Sequence, residues 1–221
     1  MNIQNYLAEV PLLHSWDGGT TWNTGGFTAR DLEELYDFCL GNLPPGPSIL
    51  ETGAGNSTIC FLLRLPSRVV SIAPEAELFE RIRSYCRSAG IPTAPLEAHI
   101  DTSEWTLPQI ASELKGQPPC FDFVLIDGCH NWPLVFVDFF YGNYMLKTGG
   151  YLMIDDTQLH SVKELARMMV EQPDFQLEKV IGKSLIFRRI TDARTLGEWN
   201  SIPYILRKTN EYERSGDPFR L

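Results

Sequence analysis

The chain of 221 residues is 43% hydrophobic, 11% aromatic and 21% charged. That is ample material for one sizeable core, which excludes a disordered chain and favours one domain with terminal decorations over two. Its 28 acidic and 19 basic residues leave a net charge of −9, and Lys and Arg cluster nowhere beyond pairs such as Arg188-Arg189, which speaks against a nucleic-acid partner.

In chain order, residues 1–10 carry neither a basic leader nor an apolar core and read as no secretory signal. Residues 11–27 hold four glycines and two tryptophans without periodicity and read as an irregular loop. Thr28 with Asp31 forms a capping box for a helix whose stripe is Leu32, Leu35, Tyr36, Cys39 and Leu40, closed by Gly41. Pro44, Pro45 and Pro47 stiffen a connector to a first strand at Ser48–Leu50. A glycine turn, a helix over 57–64, a strand over 68–72 and a helix over 75–88 ending near Gly90 follow. Leu96–Ile100 is the third strand, and Pro108 opens a short helix to Lys115. Phe121–Ile126 is nearly continuous in apolar character and should be a central strand buried on both faces. A helix over 132–145 leads to a turn at 147–150 and a fifth strand at 151–154. The next helix carries the stripe Val162, Leu165, Ala166 and Met169. Residues 175–181 and 184–190 alternate about Gly182-Lys183 as a terminal antiparallel hairpin.

The expected fold is α/β: a Rossmann-like, doubly wound, mostly parallel seven-stranded sheet with a C-terminal antiparallel hairpin and an N-terminal helical arm. The division is an arm and helix over 1–45, a main domain over 46–190 and a tail over 191–221 that packs on the sheet or joins a homo-oligomer interface. No apolar run reaches the roughly 20 residues of a membrane helix, so a cytoplasmic protein without membrane contact is expected. The five cysteines include no C-x-x-C and no Cys/His cluster, and most read as apolar thiols, with Cys129, between two candidate site residues, set apart as one that could lie in a pocket.

Ligands of such sheets lie beyond the carboxyl ends of the strands. The first strand ends in Glu51-Thr52-Gly53-Ala54-Gly55-Asn56-Ser57-Thr58, where the glycines allow close approach of backbone to a ligand. A dinucleotide fingerprint asks for a third glycine where Thr58 stands and an acidic residue closing the second strand, where Ala73 stands. An NAD-dependent oxidoreductase is therefore disfavoured. The segment instead resembles motif I of class I S-adenosylmethionine-dependent methyltransferases. Asp122-Phe123-Val124-Leu125-Ile126-Asp127-Gly128-Cys129-His130 and Leu146-Lys147-Thr148-Gly149-Gly150-Tyr151-Leu152-Met153-Ile154-Asp155-Asp156 extend the resemblance to the catechol O-methyltransferase-like and macrocin-type small-molecule O-methyltransferases.

The resemblance implies a methyltransferase acting on a hydroxyl of a small-molecule acceptor. It implies cofactor contacts from Glu51, Gly53, Ala54, Gly55, Asn56, Ser57, Thr58, Asp101, Thr102 and Asp127, with a carboxylate at Glu51 suited to the cofactor's ammonium. It also implies Mg²⁺ held by Asp127, Asp155 and Asp156, activating the acceptor oxygen. His130 stands where catechol-type relatives carry a lysine base and is the candidate catalytic base, with Asp127 beside it. Ala73 departs from the family's ribose-binding carboxylate; Glu75, two residues on, is the candidate substitute. That departure keeps open a rival, a non-catalytic or cofactor-free binding protein on the same scaffold. His160 is a weaker candidate site residue, and the 16–27 loop with Trp132 is a candidate lid or aromatic wall.

Overall fold

The computed structural model describes residues 1–15 and 17–215. Seven strands form one sheet: β1 (Ser48–Thr52), β2 (Arg68–Ile72), β3 (Leu96–His99), β4 (Phe121–Ile126), β5 (Leu146–Ile154), β6 (Phe175–Ile181) and β7 (Ser184–Arg189). Their order is β3-β2-β1-β4-β5-β7-β6. The first five run parallel, and β7 enters antiparallel to both β5 and β6, so the doubly wound sheet with a terminal hairpin is as the sequence predicts.

Consecutive residues of each central strand serve opposite faces, as a period of two requires. Ile49, Val69, Phe123 and Tyr151 meet α2 (Ala29–Asn42), α3 (Asn56–Leu62) and α4 (Ala76–Ala89) in one core. Leu50, Val70, Val124 and Leu152 meet α5 (Ser103–Glu113), α6 (Leu134–Met145) and α7 (His160–Glu171) in the other. Burial on both faces explains the unbroken apolar run of β4. Order along the sheet reverses between β1 and β4, which places the ligand-binding crevice at Gly53 and Asp127.

The capping box of α2 is present, Thr28 and Asp31 each binding the other's backbone N–H. Gly41 does not end that helix: α2 runs to Asn42 with Leu43 as its C-cap, and Pro44 stops it. The helix expected from Pro108 begins five residues earlier at Ser103, with Pro108 in its interior; Ser and Glu in its first turn were the overlooked start signal. The turn expected at 147–150 is part of β5, where a register shift against β4 and a positive φ of 80° at Gly149 absorb the irregularity. Two elements escaped the chain-order reading. One is α1 (Ile3–Ala8), anchored by buried Tyr6. The other is α8 (Pro203–Ser215), preceded by a 3₁₀ turn at Trp199–Ser201 and laid on α7, with Tyr204 donating to Glu164. No helix among the described residues is long and apolar enough to cross a membrane.

Candidate active site

The turn after β1 is fixed from both sides. Gly53 has φ +89°, and a Cβ there would stand 2.4 Å from the Asp127 carbonyl, so only glycine lets β1 and β4 end side by side. Behind the turn, the wholly buried Glu51 carboxylate accepts hydroxyl hydrogen bonds from Ser57 (3.0 Å), Thr58 (2.5 Å) and Ser71 (2.5 Å). Burial lifts its pKa to about 7, against the downward pull of those three hydroxyls. Thr58 Oγ1 in turn accepts from the Gly55 N–H at 2.9 Å.

Over the turn lies a cavity of about 540 Å³. Residues 53–57 form one wall, residues 72–75 with Leu78 a second, and residues 101–104 a third; Asp127 to His130 and Asp156 close the remaining side with residues 23–27. Gly53, Ala54, Gly55, Asn56, Ser57, Ala73, Glu75, Asp101, Thr102, Asp127, His130 and Asp156 thus share one cavity, as expected of a common site. Glu51 and Thr58 do not line it: their side chains are spent on holding the turn, so the expected contact between Glu51 and a cofactor ammonium is replaced by a bracing role. Trp132 is 64% exposed, packs edge-on against Phe136 and stands outside the cavity. The lid expectation therefore keeps its glycine-rich residues 23–27 and loses this tryptophan, while Trp16 lies outside the described residues. His160 opens α7 away from the cavity.

The titratable cluster differs from the expected triad. His130 Nε2 lies 3.1 Å from Asp156 Oδ2 and 3.8 Å from Asp127 Oδ1, and one donor atom from each of these three residues falls within 4.8 Å of the others. Asp155 turns away, accepting from Ser184 Oγ and lying 3.3 Å from the Lys183 ammonium through its other oxygen. Burial, with repulsion from Asp155 and Asp156, raises Asp127 to about 7 in spite of His130. The Asp127 carboxylate and then the Asp156 charge raise the His130 pKa against its own burial. Burial opposes ionisation of Asp156 too, but Lys183 and Gln158 outweigh it and hold its pKa below the ordinary value.

Residues 50–157 match the family model described as a methyltransferase domain. This segment is similar to a methyltransferase domain. Among solved structures, the chain is similar to the O-methyltransferase TomG of Streptomyces achromogenes, in complex with S-adenosylmethionine, at 21% identity and TM-score 0.59 over 75% of this chain and 82% of that one. It also resembles an O-methyltransferase of Bacillus cereus in complex with S-adenosylhomocysteine (21%, 0.51, 73% and 90%) and a methyltransferase of Geobacter sulfurreducens (19%, 0.55, 73% and 80%). These likenesses establish the class I methyltransferase fold. No curated protein matches at the sequence level.

Sequence reasoning missed two parts of the candidate site. The N-terminal arm is part of its wall: His14 Nε2 donates to the Ala54 carbonyl at 2.5 Å, and a Cβ on Gly55 would stand 2.9 Å from that same nitrogen. Tyr6 donates to Asn56 Oδ1 at 2.9 Å, while Asn23 fastens the arm through Leu13 N–H and the Pro11 carbonyl. The lone His14 gave no periodic or motif signal. The second missed part is Lys183, visible in sequence only as a hairpin residue and brought to the acidic pair by the pairing of β7 with β5.

Proposed function

We propose that the chain transfers the methyl group of S-adenosylmethionine to a hydroxyl of a small molecule. One observation carries the reading: the cavity at the switch point is lined by five carboxylates, Glu75, Asp101, Glu104, Asp127 and Asp156, and by no Lys or Arg among its described residues. Such a wall attracts a ligand bearing a sulfonium and an ammonium and repels the pyrophosphate of a dinucleotide. The complexes of the similar TomG and Bacillus cereus enzymes with S-adenosylmethionine and S-adenosylhomocysteine support the same ligand.

In this reading residues 53–57 hold the methionine end, Asp101 and Thr102 the adenine end, and Glu75 supplies the ribose carboxylate that Ala73 lacks. Glu75 is free to do so, since its tie to Arg81 is a half-exposed pair at 3.8 Å. S-adenosylmethionine supplies, when bound, a methyl group activated by its sulfonium. The chain's own residues orient the acceptor hydroxyl beneath residues 23–27, exclude water, and take up its proton at the His130–Asp127 pair. Because both members of that pair have raised pKa values, the proton-accepting form is lost as pH falls below about 7.

The expected magnesium triad does not fit. Mg²⁺ asks for near-octahedral oxygen ligands, whereas Asp155 is turned onto Ser184 and Lys183, and the third group beside Asp127 and Asp156 is an imidazole. No step of the reaction is therefore assigned to a metal. An acceptor screen with methyl-labelled cofactor tests the function: label on hydroxyl compounds supports it, and label confined to amines, or to none of a broad panel despite cofactor binding, would overturn the acceptor class.

A further inference from the structure

The acidic pair that ends β5 already has a cation. Lys183 is carried by the β6–β7 turn, and its ammonium, with three N–H donors, meets three oxygens: Asp156 Oδ1 at 2.5 Å, Asp155 Oδ2 at 3.3 Å and the Gly25 carbonyl. Two of these contacts are hydrogen bonds, to Asp156 and Gly25, and the third is an ion pair with the buried Asp155 oxygen. The backbone is fixed as well, because the Lys183 carbonyl accepts from Thr157 N–H (3.1 Å) and Thr157 Oγ1 (2.6 Å), the residue directly after the pair. Asp155 is 1% exposed, and its second oxygen is taken by Ser184. Asp156 Oδ1 faces Lys183 and accepts from Gln158 at 2.6 Å, while Oδ2 lies 3.1 Å from His130 Nε2.

We propose that Lys183 is a built-in counter-ion that takes the place of a divalent metal in this site. The ammonium cancels charge on Asp155 and Asp156, orients Asp156 toward His130, and ties the 23–27 loop over the acceptor side through Gly25. It touches neither ligand pocket nor reacting atoms and is a positioning residue acting through Asp156. A divalent ion bridging Asp155 and Asp156 would have to displace it, and one bound at Asp156 and Asp127 would face a fixed positive charge across a single carboxylate. The inference rests on the methyl-transfer reading of the cavity, and it names how that site works without a metal.

The test is an electron paramagnetic resonance titration of Mn²⁺, as a probe of magnesium sites, into the full chain and into Lys183→Met, whose side chain has similar length and no charge. Calorimetric titration with S-adenosylmethionine in EDTA runs beside it. The wild type should leave Mn²⁺ free, and K183M, with its carboxylates released, should bind one Mn²⁺ at least about tenfold more tightly. Equal affinity in the two proteins, whether tight or undetectable, overturns the proposal. Should the variant not fold, the wild-type arm decides: one Mn²⁺ bound below about 100 μM overturns it, and none bound while EDTA-treated protein holds the cofactor supports it. A chain that binds cofactor in EDTA yet takes up Mn²⁺ loses this inference alone. A chain that binds no cofactor loses the methyl-transfer reading, while the Mn²⁺ comparison still judges Lys183.

Discussion

Glu51→Gln isolates the brace behind the glycine turn. Glu51 is wholly buried, and burial holds its carboxyl at about 7 in place of 4.5. Because the folded-state value is raised, the native chain keeps a proton that the unfolded chain has released, so this group's contribution falls as pH rises from about 4.5 and is fully lost above about 7. At about 1.36 kcal/mol per unit, a shift of about 2.5 units corresponds to about 3 kcal/mol. Glutamine keeps the shape, leaves an oxygen for the Thr58 and Ser71 hydroxyls and turns its amide N–H to the Ser57 hydroxyl, which can accept, but it does not titrate. Urea unfolding of both proteins at about pH 5 and about pH 8.5 reads the difference, and the raised carboxyls of Asp127 and Asp138 cancel because both proteins carry them. Because part of the contribution is already lost at about pH 5, the glutamine variant should gain about 2.5 kcal/mol on the wild type between the two conditions. Stability curves that run parallel would show that Glu51 is ionised without cost in the fold and would refute the reasoning.

His130→Ala should lower turnover by about 10²- to 10⁴-fold while leaving the cofactor dissociation constant within about threefold, and should flatten a pH profile that in the wild type rises to a plateau above the ordinary histidine range; equal losses in turnover and affinity would contradict a base. Glu75→Ala should weaken cofactor binding by about tenfold in calorimetry, the scale of one hydrogen bond to a charged group, and unchanged affinity would remove Glu75 from the ribose. Gly53→Ala places a Cβ 2.4 Å from the Asp127 carbonyl at φ +89°; a loss of about 2–4 kcal/mol in chemical denaturation is expected, and a wild-type midpoint would contradict the close approach of β1 and β4.

Much of this architecture was legible because binary patterning and turn chemistry agree locally. β2 and β4 fall on their predicted residues, since each is an apolar run bounded by breakers, and the Thr28–Asp31 box announces α2. Boundaries failed where tertiary contacts outvote local signals: Pro108 is tolerated inside α5, and the Lys147–Gly150 stretch is carried within β5 as an irregularity between Leu146 and Tyr151, which pair with Phe121 and Phe123 of β4. The site was legible where function sits on the sheet ends. Its differences were of orientation: the family resemblance put Glu51 and Asp155 in the site, but nothing in the sequence showed that Ser57, Thr58 and Ser71 would claim the first, or Ser184 and Lys183 the second. His14 and Lys183 are 40 and 27 residues from the groups they meet, Ala54 and Asp156, so only the fold brings them in.

Calorimetric titration of the purified chain with S-adenosylmethionine in EDTA, matched by a titration with NADH, bears most directly on the acidic cavity as a cofactor site. Binding of S-adenosylmethionine at about micromolar affinity, unaffected by the chelator and with no heat from NADH, is the predicted result. Absence of S-adenosylmethionine binding, or a nicotinamide affinity equal to it, would contradict the account.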